Sequence, residues 1–149
     1  MTSASPFASR RSPVAVRWES GPAGEAVAAW DMGARECTAE TAADAASRFL
    51  PCLGDDRVSV AFLKIDSVLR GHAAVLVEAA LDCLRPTRCI VAPAFPAHGR
   101  VTLGGRHFAL GPGGAMMACP DLPGELRRFG RPVSLRRAPD RMPDGVSFW

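Results

Sequence analysis

The period of the apolar positions changes twice in the middle of this chain, and each change marks an element. Val58, Val60 and Phe62 alternate with Ser59, Ala61 and Leu63, the two-residue repeat of a strand entering a core. From Ala73 to Leu84 the residues are almost wholly apolar apart from Glu78 and Asp82, which predicts a helix buried on most of its circumference. Pro86 forbids further helix, and Cys89-Ile90-Val91-Ala92 reads as a second short strand. Strand, helix, strand in that order predicts a βαβ unit with parallel strands.

Outward from that unit the pattern weakens but remains legible. Residues 1–12, rich in serine, alanine and arginine, read as a disordered tail. Val14 to Trp18 is a strand candidate closed by the turn signal Ser20-Gly21-Pro22, and Ala26 to Trp30 is the next, with Asp31 at its carboxyl end. Thr38 reads as an N-cap for a helix from about Ala39 to Leu53, with Ala42, Ala46, Phe49 and Leu53 on one face and Gly54 as terminator. Pro51 sits near its end and favours an earlier stop. Val101-Thr102-Leu103 and Arg106 to Leu110 flank Gly104-Gly105, a two-residue hairpin signal. From Gly111 onward the organisation fades into glycine, proline and arginine pairs, with one short helix from Leu122 to Phe129. The expected architecture is α/β: an open, mostly parallel sheet with flanking helices in three layers, incomplete, with a β-hairpin excursion after the central βαβ unit.

Composition narrows the function classes. A chain of 149 residues is long enough for one domain burying roughly 70% of its unfolded surface, and 48% hydrophobic with 22% charged residues is globular usage. The net charge of +3 is small and the arginines are scattered, which argues against a dedicated nucleic-acid surface. No stretch reaches the ~18 consecutive apolar residues of a membrane helix. Cys37, Cys52, Cys83, Cys89 and Cys119 are odd in number and show no C-x-x-C spacing, so neither a zinc site nor a disulfide framework is indicated and a reducing cytoplasm fits. Cys83 and Cys89 fall on the predicted helix and strand, where a free cysteine behaves as a small buried hydrophobe.

Candidate chemistry concentrates in Lys64-Ile65-Asp66-Ser67-Val68-Leu69-Arg70-Gly71-His72, the loop between the predicted strand and helix. In open α/β sheets ligands bind beyond the carboxyl ends of strands, and the Gly71 to Ala74 segment would offer unpaired helix amides to a carboxylate or phosphate. Lys64 is the only lysine against seventeen arginines. The competing reading is a solvated loop with caps and turn residues. His72, His98 and His107 show no metal-ligand spacing, and neither G-x-S-x-G nor G-x-x-x-x-G-K-[ST] occurs.

Lys64-Ile65-Asp66-Ser67-Val68-Leu69-Arg70-Gly71, followed by Ala92-Pro93-Ala94-Phe95-Pro96-Ala97-His98-Gly99-Arg100, resembles the N-terminal domain of the four-carbon acid sugar kinase family. The family pattern is K-x-D-S-T-x-R-G, then a helix, a strand, and A-P-A-x-P-x-x-G-R. Val68 departs from the usual threonine. Thr102-Leu103-Gly104-Gly105 extends the likeness, and Asp31-Met32-Gly33-Ala34-Arg35 is similar to the family's D-x-x-x-R block. The resemblance runs from about Val14 to Leu110. It divides the chain into the tail at 1–12, a partial sugar-acid-binding domain at 13–110 and a poorly matched segment at 111–149.

The resemblance implies recognition of a four-carbon sugar acid, tetronate or oxo-tetronate, that accepts a phosphoryl group from ATP. On this chain it points to Arg70 and Lys64 for the substrate carboxylate, the arginine through its bidentate fork. Asp66 and Ser67 would bond sugar hydroxyls, or serve as helix cap and Asx turn. Gly71 would allow close approach of a ligand, or simply permit the turn. Arg100 would stand at the same sheet edge, or be exposed, and Arg35 is the weakest of the set. No catalytic residue and no metal ligand is assigned. ATP and Mg²⁺ are implied by the family, without a site for either in this sequence. The family's opening strand with its A-D-D-x-T-G-A loop and its larger nucleotide-binding domain have no counterpart here. The expectation is therefore a domain truncated at both ends and inactive alone, with a separately encoded nucleotide-binding domain as a candidate partner. A stand-alone sugar-acid-binding module and a non-functional remnant are the alternatives.

Overall fold

The computed structural model describes residues 14–21, 27–54, 58–136 and 144–149. The tail expected at 1–12 lies outside them. Two helices built on alanine set the centre of the fold. The first, α1 (Ala39–Phe49), begins where the Thr38 hydroxyl accepts from the Thr41 amide at 3.2 Å, and buries Ala42, Ala45, Ala46 and Phe49. Pro51 has no amide hydrogen with which to continue the ladder, so the chain tightens into a 3₁₀ turn over Leu50–Leu53 and ends at Gly54. The second, α2 (Ala73–Leu84), packs in two directions. Leu76, Ala79 and Ala80 meet α1, whose small side chains permit close approach, while Ala73, Ala74 and Val77 face the other core.

Burial of α2 is confined to its first half. Cys83, expected inside, is exposed: with Asp82 it lines an open surface cleft beside Ala43, Ala46 and Ser47 of α1. Cys89 is half-buried.

The paired strands fall into three small sheets. β1 (Ala15–Arg17) runs parallel to β2 (Ala28–Trp30). β3 (Arg88–Val91) is the strand expected after α2, but its partner is not the segment before the helix. Residues 58–63 form no strand; Val60 is 84% exposed, and only Leu63 reaches the cores. Alternation makes a strand only where a neighbouring strand takes up the backbone groups and one face. β3 pairs instead with a strand near the end of the sequence, and among the described residues nothing pairs with its other edge.

β8 (Gly145–Phe148) pairs in parallel with β3 on one side and with β7 (Val133–Leu135) on the other, so the last strand lies in the middle of its sheet. Its Phe148, 1% exposed, joins Val91, Val146, Leu122, Leu126 and Val77 in the larger core, a burial that contributes about 1.5–3 kcal/mol. α3 (Leu122–Arg128) closes that core from the side of α2, capped by Asp121 accepting from the Gly124 amide. Arg131 then ties the approach to β7 back onto α2 through a fork on Glu78, with Nε 3.0 Å and Nη2 2.9 Å from its carboxylate. The segment in which organisation was expected to fade thus supplies, besides the short helix expected there, the strands β7 and β8.

The hairpin forms as its sequence predicts. β4 (Arg100–Leu103) and β5 (Arg106–Leu110) are antiparallel across Gly104 and Gly105, both at positive φ as a type I′ turn requires. β6 (Met116–Ala118) adds a third strand that the pattern did not reveal. The result is a mixed α/β fold with no closed barrel. Among the described residues no helix is long and apolar enough to cross a membrane.

Candidate functional site

The loop that delivers the chain to α2 is wound around one carboxylate. Asp66 Oδ2 accepts from the Val68 amide at 3.1 Å, an Asx turn, and from the Arg70 amide at 3.3 Å, while the Asp66 carbonyl takes the Leu69 amide at 2.9 Å. These bonds hold Leu69 at φ +59°, a left-handed conformation that a branched residue adopts only under constraint. Leu69 is 2% exposed, so its packing in the core helps to offset that strain.

Two cations converge on the same carboxylate. Arg70 closes its fork on it, Nε to Oδ2 at 3.1 Å and Nη2 to Oδ1 at 2.9 Å, and Arg35 Nη1 stands 3.7 Å from Oδ1. The Arg70 guanidinium, opposed by partial burial and aided by the two amides, holds the Asp66 carboxyl down at a pKa of about 2. Arg70 is in turn raised by the Asp66 hydrogen bond. Both arginines keep more than half of their side-chain surface in solvent, at 58% and 66%.

Gly71 explains how Arg35 comes to be there. At φ +78° a Cβ on residue 71 would lie 2.8 Å from the Arg35 carbonyl oxygen, so it is protein backbone that approaches the glycine. His72 reinforces this junction: its Nε2 lies 2.7 Å from the Cys37 carbonyl, and it occupies the N-cap position of α2 without a side-chain cap bond. Asp31 accepts from the Gly33 amide and so shapes the turn before Arg35.

The remaining expected residues sit less centrally. Lys64 is exposed, with its ammonium turned back onto the Ile65 carbonyl, and makes no ion pair with Asp66. Ser67 is half-buried and engages the hairpin through its backbone carbonyl. Arg100 is half-buried, donates to the His98 carbonyl, and carries a buried Nε without a hydrogen-bond partner. Register pairs Thr102 with His107 and Arg100 with Ala109, so Arg100 stands on the same face of the hairpin as buried His107.

Sequence reading passed over Cys119 and His107. The Cys119 thiol is pushed up by burial, pulled down by Arg100 and pushed up by Asp66, which brings all three into one electrostatic neighbourhood. His107 is, with Ser147, one of the two polar residues buried as whole residues among those described, and a lone histidine in a predicted strand gives no signal of that.

Chemically, the arrangement offers guanidinium donors and an ionised acid held rigidly at the start of a helix, suited to a small ligand carrying both an anionic group and hydroxyls. It does not fit Mg²⁺. The Asp66 oxygens are committed to Arg70 and the turn amides, and the described residues contain no cluster of three His, Cys, Asp or Glu side chains suited to a metal ion.

Comparison with known proteins is consistent with this chemistry. A search of curated proteins finds no match. The family model described as "Sugar-binding N-terminal domain" matches residues 7–124, a span that contains the Asp66 loop, the hairpin and Cys119. With most of its length matched, the chain belongs to the sugar-binding N-terminal domain family.

Proposed function

We propose that this chain recognises a four-carbon sugar acid of the tetronate or oxo-tetronate type as the acceptor-binding part of an ATP-dependent kinase. The observation that carries the reading is the convergence of Arg35 and Arg70 on Asp66 at the entrance to α2. The likeness of Lys64 to Gly71 and of Ala92 to Arg100 to the four-carbon acid sugar kinases supports it. In this reading Arg70, Arg35 and Arg100 share the carboxylate of the ligand, and Lys64 adds a mobile point charge. Asp66, held ionised, accepts from a ligand hydroxyl on what remains of its lone pairs; Ser67 donates or accepts beside it; and Gly71 keeps the junction narrow. The nucleotide and its Mg²⁺ would be brought by a separate nucleotide-binding domain, since phosphoryl transfer depends on positioning acceptor and donor together.

Thermal stabilisation by a panel of tetronates, each paired with its uncharged lactone, tests the proposal. Stabilisation by an acid and not by its lactone is the expected result. Equal shifts, or none across the panel, would remove the sugar-acid reading.

A further inference from the structure

We infer that His107 is a positioning residue for the site: as the Nε2–H tautomer it holds the Ser67 carbonyl and so fixes the Asp66–Arg70 turn against the hairpin that carries Arg100. The ligand affected is that of the sugar-acid reading above, on which this inference rests for its binding readout only.

The tautomer follows from the partners. His107 Nε2 lies 2.8 Å from the Ser67 carbonyl oxygen, which can only accept, so this nitrogen carries the proton. In the neutral ring Nδ1 is then the acceptor, and the Thr102 hydroxyl 3.1 Å away is its donor. Each ring nitrogen has a partner, and the residue is 2% exposed. The backbone is engaged as well, since the His107 carbonyl takes the Cys119 amide at 2.9 Å.

The position of this bond gives it consequence. It links residues forty apart in sequence and is the one hydrogen bond among the described residues between the loop at 64–72 and the three strands β4, β5 and β6. Ser67 follows Asp66 directly, and Leu69 two residues on is held at a strained φ of +59°. A turn of that kind persists only when surrounding structure over-determines it. Asp66 constrains it from inside through the Val68 and Arg70 amides, and His107 constrains it from outside. With the His107 bond lost, Asp66 and Arg70 would keep each other but lose their fixed distance from Arg100, so the cations would no longer present one preorganised cradle.

Three readouts test this on the whole chain. A long-range ¹H–¹⁵N spectrum of the imidazole should show Nε2–H for wild-type His107. Hydrogen exchange of the Val68 and Arg70 amides should accelerate about tenfold or more in His107→Phe, which keeps a ring and removes both nitrogens; a neutral hydrogen bond is worth that order. Titration with erythronate and threonate should show about tenfold weaker binding for His107→Phe, with His107→Gln, which can still donate to Ser67, recovering most of it. An Nδ1–H ring in the wild type overturns the inference, as does unchanged Val68 and Arg70 exchange in His107→Phe. Should His107→Phe fail to fold, the wild-type tautomer decides, together with whether His107→Gln keeps the slow exchange. Absence of tetronate binding by the wild type would defeat the sugar-acid reading, while tautomer and exchange still judge His107.

Discussion

Arg70 holds Asp66 with both arms of its guanidinium, at 2.9 and 3.1 Å, and the Asp66 side chain is 8% exposed. The fork that the sequence offers to a ligand carboxylate is thus already closed on a neighbouring acid. What remains for a ligand is Arg70 Nη1, outside the fork, and those donors of Arg35 that Glu36, 3.3 Å from its Nη2, does not take. Arg70→Ala removes both the ligand contact and the partner that keeps Asp66 in place, so tetronate binding should fall by about tenfold to a hundredfold, the range for charge-assisted bonds of roughly 1.5–3 kcal/mol. Arg70→Lys should recover only part of the loss, because an ammonium cannot span both oxygens. Exposed Arg128 serves as the control, and Arg128→Ala should leave the affinity where it was. Calorimetric titration of the three variants checks the ranking, and affinity retained in Arg70→Ala would detach this loop from binding.

The same pair sets an acid limit on stability. Asp66 titrates at about 2 in the fold against 3.8 for a free aspartate, chiefly through the Arg70 hydrogen bond. A carboxyl depressed by folding contributes stability that is fully present above its unfolded pKa and lost as pH falls through its folded one. The contribution should therefore be constant above about pH 4 and decline between about pH 4 and pH 2. Denaturant melts across that window should show a decline in the wild type that is reduced in Asp66→Asn. The two proteins declining in parallel would mean that Asp66 is not the group responsible.

Much of this fold is written in local pattern. Thr38 as a cap, Gly104-Gly105 as a hairpin turn and the apolar run from Ala73 to Leu84 each act through neighbours close in sequence, and each element forms where its residues predict it. The strand expected at Val58 to Leu63 did not form, because strand pairing depends on what lies alongside, and β8 arrives beside β3 from more than fifty residues away. Val146 and Phe148 give no local sign that they will occupy the middle of a sheet. In the candidate site, Asp66, Arg70 and Gly71 could be grouped from one contiguous loop. Arg35 was the weakest candidate, yet it is delivered to Asp66 by the close approach of its backbone to Gly71. The buried role of His107 depends on a hairpin folding back onto the loop, which no spacing in the sequence encodes.

Gly71 offers a test of that delivery. A β-carbon there would meet the Arg35 carbonyl at 2.8 Å in addition to the cost of φ +78°, whereas Gly33, at φ +61°, has open space where its β-carbon would go. Gly33→Ala therefore measures the backbone cost alone, about 1–3 kcal/mol for an ordinary residue held in a sparsely populated region. Gly71→Ala should cost more than Gly33→Ala, and it should also weaken tetronate binding by moving Arg35 away from Asp66. Urea melts and the same titration for both variants separate the two effects. Equal destabilisation, with affinity intact in Gly71→Ala, would show that the Arg35 approach is unimportant.

The segment before the loop, which forms no strand, has consequences for behaviour in solution. Val58 and Val60 lie in an irregular stretch, 37% and 84% exposed, with a period that suits a strand, and among the described residues β3 has a neighbour on one side only. Exposed apolar sequence with a strand's period, in a chain that also carries an open sheet edge, favours pairing between chains, and natural proteins suppress it with charges at such positions. The chain should self-associate with rising concentration, and Val60→Lys should shift that association to higher concentration. Because Val60 is so exposed, the substitution removes little packing and should leave the melting temperature nearly unchanged, so a change in association is not a secondary effect of unfolding. Sedimentation velocity over a hundredfold concentration range, with thermal melts of both proteins, makes the comparison. A wild type that stays monomeric throughout, or a Val60→Lys chain that associates as strongly, would mean that this segment is not the contact.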